Sequence, residues 1–300
     1  RQQQLDQSIA RYLADLDRAD RDPSLVPEER VEHLKEKLAT VRSQMKKLEA
    51  IGRQLEATPD QQISLTDPDA RSMATSGRGT GMVGYNVQAA VDTKHLLTVT
   101  HGVGNEGHER NQLRPPAQRT QAPRGTEDLT VLADRGYFSG EEILKCEQAQ
   151  IKALVPKPMT SNSTSSGRFD KRDFHYEAKR DRYSCPAGKY ATRRCTSIQH
   201  GMTIHRYWST ACPQCPLRSA CTTDTCRRIN RWEHEDVVER MQRRIDSMPQ
   251  AGRLRRQTVE HTFGTLKSWM GATHFLTRTL PKVRTEMSLQ VLAYNLKRVM

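Results

Sequence analysis

Leu129-Thr130-Val131-Leu132-Ala133-Asp134-Arg135-Gly136-Tyr137 is a short apolar run that ends on a carboxylate and then turns. The residues after it complete a unit. Gly140–Ala149 reads as a helix, opened by Ser139 as an N-cap with Glu141 and Glu142 in its first turn. Ile151–Val155 is another short apolar strand, closed by Pro156 and Pro158. Upstream, Tyr85, Val87, Ala89 and Val91 alternate with Asn86, Gln88 and Ala90, which predicts a strand with one buried face. The turn Asp92-Thr93-Lys94-His95 leads to a second strand over Leu96–Thr100, and a helix is predicted near 111–121. Strand, helix, strand, helix, strand is α/β grammar.

Further out the pattern changes. Leu5, Ile9, Leu13 and Leu16 keep helical spacing, Pro23 and Pro27 interrupt it, and Val31, Leu34, Leu38, Val41, Met45, Leu48 and Leu55 follow on a heptad seam. The two segments predict an antiparallel helical hairpin, either an arm for DNA or a partner subunit or a scaffold packed on the main domain. Residues 57–82 read as a loop, 159–168 as a flexible linker, and 169–231 as a Cys-rich, basic, irregular region. Helical periodicity returns over Glu233–Met248, Leu254–Met270 and Met287–Met300.

The formal net charge of +13 favours polyanionic partners, nucleic acid first. No stretch approaches the roughly 20 apolar residues that a bilayer requires, and Arg1-Gln2-Gln3-Gln4 has no apolar signal core. The expectation is a soluble, cytoplasmic protein with no membrane partner. The chain starts without Met, inside a helical pattern, so a lost upstream segment is expected. An odd cysteine count of 7 in such a chain points to metal ligands or free thiols instead of a disulfide framework.

Two acidic residues carry the candidate chemistry. Asp134 closes a buried strand, where open α/β sheets bind their ligands, and a carboxylate there suits Mg²⁺. The alternative is an Asp that caps the turn or pairs with Arg135. Arg256, Glu260 and Lys267 share one face of a helix beside the apolar stripe Val259, Phe263, Leu266 and Met270. Glu260 is then either a second metal ligand or half of an ordinary surface pair with Arg256. Basic residues cluster at Arg227-Arg228, Arg240, Arg243-Arg244 and Arg253-Leu254-Arg255-Arg256, with Trp208, Trp232 and Trp269 among them. Phosphate contacts from Arg253, Arg255, Arg256 and Lys267 would give affinity for double-stranded DNA without sequence information; each Trp singly is read as core. Cys212-Pro213-Gln214-Cys215 is a CxxC knuckle, with Cys185 ahead and Cys221 behind, and four such thiolates suit tetrahedral Zn²⁺. Unliganded cysteines are the alternative.

The spacing Arg256-x3-Glu260-x6-Lys267 resembles the C-terminal signature of bacterial DDE transposases. Val131–Tyr137 is similar to that family's second-aspartate strand. Gly84–Asp92, Arg231–Glu235, Val259–Gly264, Met270–Leu276 and Val291–Leu296 also resemble insertion-sequence transposases with a Cys-bearing insert. The resemblance covers nearly the whole chain. It implies an α/β, RNase H-like mixed sheet with flanking helices, in which three carboxylates hold two Mg²⁺ ions for DNA cleavage and strand transfer. Asp134 and Glu260 match the second and third carboxylates. The expected layout is a hairpin at 1–57, a first part of the catalytic domain at 58–158, a zinc-ribbon-like insert at 159–231 and completing helices at 232–300. A homo-oligomer in the transposition complex is implied too. The family's first carboxylate closes an Asp-Gly-Thr-like strand ahead of the hairpin, and no Asp-Gly occurs here. Asp92 is the substitute within the chain, with Asp67 and Asp69 behind it. The reading adopted places the first strand before Arg1, so that this polypeptide alone does not catalyse. Three rivals remain: a non-catalytic DNA-binding remnant, a related-fold nuclease, and a zinc-stabilised interaction module.

Overall fold

A computed structural model describes residues 2–21, 28–73, 81–107, 109–124, 128–158 and 166–300. The expected turn at Pro23 and Pro27, and residues 159–165 of the expected linker, lie outside the described residues. The chain divides into two compact units.

The first unit holds residues 1–86, 104–107 and 276–283. Its helices α1 (Gln2–Arg21) and α2 (Glu28–Ala57) pack on each other as the heptad seam predicts. The segment expected to be a loop carries two short antiparallel strands, β1 (Arg71–Met73) and β2 (Met82–Gly84). Three residues are too few for alternation to register in sequence. Asp67, 9% exposed, accepts the Tyr85 hydroxyl at 2.6 Å and the backbone N–H groups of Asp69 and Thr279, each at 3.2 Å. Asp69 accepts the Leu280 N–H at 2.8 Å. Both carboxylates are therefore committed to tying the 276–283 segment to the 67–70 loop. Burial works to raise the Asp67 carboxyl, but the Tyr85 hydroxyl and the two amides outweigh it and hold the group below its ordinary value.

The second unit holds residues 87–103, 108–275 and 284–300. Strands β3 (Asn86–Val91) and β4 (Thr98–Gly104) pair through a turn in which Asp92 N–H donates to Leu97 O at 2.8 Å. The outer edge of β4 is closed by a side chain. Asn295 accepts Thr98 N–H and donates to Thr98 O, both at 2.9 Å, so its amide takes the place of a neighbouring strand's peptide group. After α3 (Arg114–Arg124), β5 (Leu129–Leu132) runs parallel to β6 (Ile151–Leu154), with α4 (Gly140–Gln148) as the crossover. Leu129, Ile143, Cys146, Ile151 and Val155 join Leu113 and Ala117 in one buried core, closed by Val237 and Met241. Each Leu, Ile, Val or Met buried there contributes about 1.5–3 kcal/mol.

The region read as irregular is an antiparallel sheet. Its five strands are β7 (His175–Glu177), β8 (Arg182–Ser184), β9 (Tyr190–Gln199), β10 (Met202–Trp208) and β11 (Ile229–Trp232), in the order β11-β10-β9-β8-β7. Two strands are only three residues long, and Arg193, Arg194 and Thr196 mask the alternation of β9. The sheet covers a small core of Phe174, Tyr183, Ala191, Tyr207 and Ile229. Asp181 accepts the hydroxyls of Tyr176 and Tyr207 at 2.8 and 2.6 Å. Arg231, 6% exposed, lies 3.7 Å above the Tyr176 ring and is paired with Glu239.

Helix α5 (Glu235–Asp246) covers the β5–β6 core. Next comes α6 (Ala251–Arg255), which runs into a π-helical segment at Arg256–Glu260, α7 (His261–Gly264) and a second π segment at Thr265–Trp269. The last helix, α8 (Leu280–Val299), starts at Leu280 and not at Met287, with Pro281 tolerated in its first turn. Thr262 is fully buried and bonds the Tyr294 hydroxyl at 3.1 Å, which fixes the helix 251–269 against α8.

Candidate functional site

Asp134 leaves the end of β5 and accepts the Gly136 N–H at 2.9 Å, so it does cap a turn. Its other oxygen faces Arg255. One guanidinium nitrogen lies 3.8 Å from Asp134 Oδ2 and another lies 3.6 Å from Glu260 Oε1. The two predicted carboxylates, far apart in sequence, thus converge on a single cation. Their side chains are 43% and 63% exposed, whereas Arg255 is 21% exposed.

The identity of that cation follows from the helix winding. An α-helix pairs residues four apart, which would set Arg256 beside Glu260. The segment Arg256–Glu260 is wound as a π-helix, with i→i+5 periodicity, and brings Arg255 to Glu260 instead. Arg256, Lys267 and Arg253 remain exposed. The same winding alters the inward face, which is Thr258, Thr262 and Leu266.

A third carboxylate, missed in sequence, joins the group. A Cβ added at Gly136 would sit 2.5 Å from Glu109 Oε2 and 3.1 Å from Asp134 Oδ1, which places both carboxylates beside this glycine. Burial, then Asp134, push the Glu109 carboxyl above its ordinary value, and Arg255 pulls it back. Burial and then Glu109 and Asp134 likewise raise the Tyr137 hydroxyl. The only signal for Glu109 in sequence was a carboxylate just beyond the second strand of a hairpin.

Asp92, Glu109, Asp134 and Arg255 line one cleft of about 410 Å³, whose walls include the lengths of β3 and β5. The Asp92 carboxylate accepts the His95 N–H at 2.8 Å within its own turn. The basic stripe is shorter than its sequence suggests. Arg240 and Arg244 bind Glu147 at 2.9 and 3.1 Å, which ties α5 to α4, and Arg228 pairs with Asp224 at 3.9 Å. Trp232 packs against the β5–β6 core, but Trp269 is 82% exposed, contrary to the expectation of core packing. It ends the second π segment, two residues from Lys267.

Residues 184–300 match the family model of a transposase DDE domain. This supports a DDE transposase family for the chain. The matched transposase segment is less than half of the chain; it includes Glu260, Lys267 and the cysteine cluster and leaves Asp134 outside. Comparison with curated proteins and with solved structures found no match.

Within residues 184–300, Cys185, Cys212, Cys215 and Cys221 line a second cavity, together with Arg218 and Arg227. All seven cysteines are free thiols. Burial pushes the Cys221 thiol up, Arg227 lowers it, and Cys212, Cys185 and Cys215 raise it further. Among the described residues, no three His, Cys, Asp or Glu side chains stand close enough together to hold a metal ion unaided. No helix among them is long and apolar enough to cross a membrane.

Proposed function

We propose that this chain is a DDE transposase that cleaves and joins DNA at insertion-sequence ends, with Asp134 and Glu260 as Mg²⁺ ligands. The observation that carries the reading is their convergence on one guanidinium, from a strand end and from a π-wound helix, beside Glu109. Asp and Glu oxygens suit Mg²⁺, and both side chains are accessible from solvent. When bound, a pair of such ions supplies an activated hydroxyl and stabilises the leaving oxygen during in-line displacement at phosphorus. Asp134 and Glu260 would hold the ions. Arg255 balances the two carboxylates meanwhile and, once displaced, lies close enough to pair with a phosphate. Arg253, Arg256 and Lys267, all exposed on the same helix, would hold the DNA backbone. Trp269 offers an exposed ring for an unpaired flanking base.

Support for an RNase H-like sheet comes from the arrangement of strands. Residues of β3 and β5 line one cleft, and each of these strands has one partner strand among the described residues. A segment between them would make one mixed sheet. The reading also places the protein on double-stranded DNA, as one copy of a homo-oligomeric complex.

One observation favours a second reading, DNA binding without catalysis: the carboxylates do not form a ready three-ligand site. A joining assay with labelled transposon-end DNA and a supercoiled target plasmid separates the two. With the first carboxylate that the family resemblance calls for supplied, the transposase reading expects Mg²⁺-dependent joined product that disappears in Asp134→Asn and Glu260→Gln while DNA binding persists. Salt-sensitive binding with no joining would favour the second reading, and cleavage without joining would indicate a nuclease.

A further inference from the structure

We propose that the apolar stripe Leu289, Leu292, Leu296 and Val299 on α8 is a self-association seam, on which a second copy of this chain docks its own α8, antiparallel, about a two-fold axis. These residues are 61%, 55%, 56% and 73% exposed. Single apolar residues on a surface are ordinary, whereas a contiguous row of them marks an interaction site.

The helix is apolar on two opposite sides. Met287, Val291 and Tyr294 are buried. The Tyr294 hydroxyl donates to Leu96 O at 2.7 Å, and Asn295 bonds Thr98, so this side is fixed on the chain's own sheet. At about 100° per residue the exposed stripe points the other way. A helix that is apolar all round belongs between two partners, and its own domain supplies one of them.

Two features select a like helix as the other partner. The stripe has gaps of three, four and three residues, which is the spacing of a helix-on-helix seam. The charges beside it are also complementary to themselves. Glu286 and Lys297 lie about three turns apart on one flank of the stripe. A two-fold axis midway between Val291 and Leu292 sets Glu286 of each copy level with Lys297 of the other, on the same side of the pair. In that register Leu289 falls between Leu292 and Leu296 of the second copy, and the symmetry repeats the contact. A parallel pair would instead set Glu286 and Lys297 against the opposite flank, Ser288 and Asn295. Those two side chains bond His101 and Thr98 of their own domain, at 2.9 Å each.

From Leu289 to Val299 the seam runs about 15 Å, at 1.5 Å per residue. A contact of this length is small beside the roughly 800 Å² per partner of a standard interface. The expected dimer is therefore a weak one, dissociating at about 1–100 µM. It gives the homo-oligomer of the proposed function a surface, and it forms without DNA.

Sedimentation velocity of the full chain, in reducing buffer without DNA, tests the seam. Because no DNA or activity is read, its failure is distinct from failure of the transposase reading. The parent should shift from monomer to dimer over about 1–100 µM. Leu292→Glu and Leu296→Glu should stay monomeric throughout, with unchanged circular dichroism, since both side chains already face solvent. Lys297→Glu should weaken the dimer by about 2- to 30-fold, and adding Glu286→Lys should restore it. Should the double variant fail to fold, oxidative cross-linking decides the direction, read by peptide mass. Leu292→Cys lies at the axis and should link to its counterpart, whereas Val299→Cys should not. A parent that stays monomeric, or a dimer retained in both glutamate variants, overturns the seam. An exchange that restores nothing, or cross-linking at both 292 and 299, overturns the antiparallel register.

Discussion

Replacing Arg255 by Gln removes the cation that stands between Asp134 and Glu260. The guanidinium contacts are 3.8 and 3.6 Å, and the carboxylates are 43% and 63% exposed. Full Coulomb energies at these distances would be about 4 kcal/mol each at an effective dielectric of 20. Exposure reduces them to the range measured for solvent-accessible pairs, about 0.2–1 kcal/mol each. A divalent ion that must displace Arg255 therefore gains roughly 0.4–2 kcal/mol when the side chain is gone. That converts to about 2- to 30-fold tighter binding. Mn²⁺ titration followed by electron paramagnetic resonance measures it, with Arg253→Gln as the control that leaves the carboxylates untouched. The DNA-binding salt slope should fall by about 1 if Arg255 turns to a phosphate. Mn²⁺ affinity that is equal or weaker in Arg255→Gln refutes the competition.

Asn295→Ala should destabilise the second unit by roughly 2–4 kcal/mol, because it orphans both backbone groups of buried Thr98. Urea unfolding measures the loss, and hydrogen exchange should show the Thr98 amide losing protection. Asp67 gives a pH-dependent contribution. Its folded-state pKa lies below the ordinary 3.8, so its stabilisation is complete above that value and is lost as pH falls through the folded pKa. Thermal midpoints from about pH 5 downward should therefore fall less steeply in Asp67→Asn than in the parent, from a lower starting point.

Much of the fold was legible because its signals are local. The two N-terminal helices that pack on each other were predicted by their apolar spacing, and the strand-helix-strand unit by apolar runs around the Ser139 cap. The five-stranded sheet was hidden, since β7 and β8 are three residues long and β9 is dominated by charged and hydroxyl side chains. In the site, strand-end position and helical spacing left Asp134 and Glu260 open between metal ligands and an ordinary cap or ion pair, and the resemblance to DDE transposases singled them out. The spacing pointed to the wrong neighbour for Glu260, because α-helical periodicity cannot foresee a π turn. Glu109 had no pattern of its own; it becomes visible only when the chain folds it against Gly136. The arginines at 240 and 244 looked like a DNA stripe until Glu147 appeared opposite them. Asp67 and Asp69 stood behind Asp92 as substitutes for the first carboxylate, and backbone amides engage their oxygens.

The pairing of Asp134 with a divalent ion can be read from metal rescue. Thiolate prefers softer ions, so Asp134→Cys should abolish DNA joining in Mg²⁺ and regain it in Mn²⁺. A parent protein supplied with the family's first carboxylate should join in both. Joining by Asp134→Cys in Mg²⁺ at the parent's rate would contradict a metal-ligand role for Asp134, and with it the account of the site.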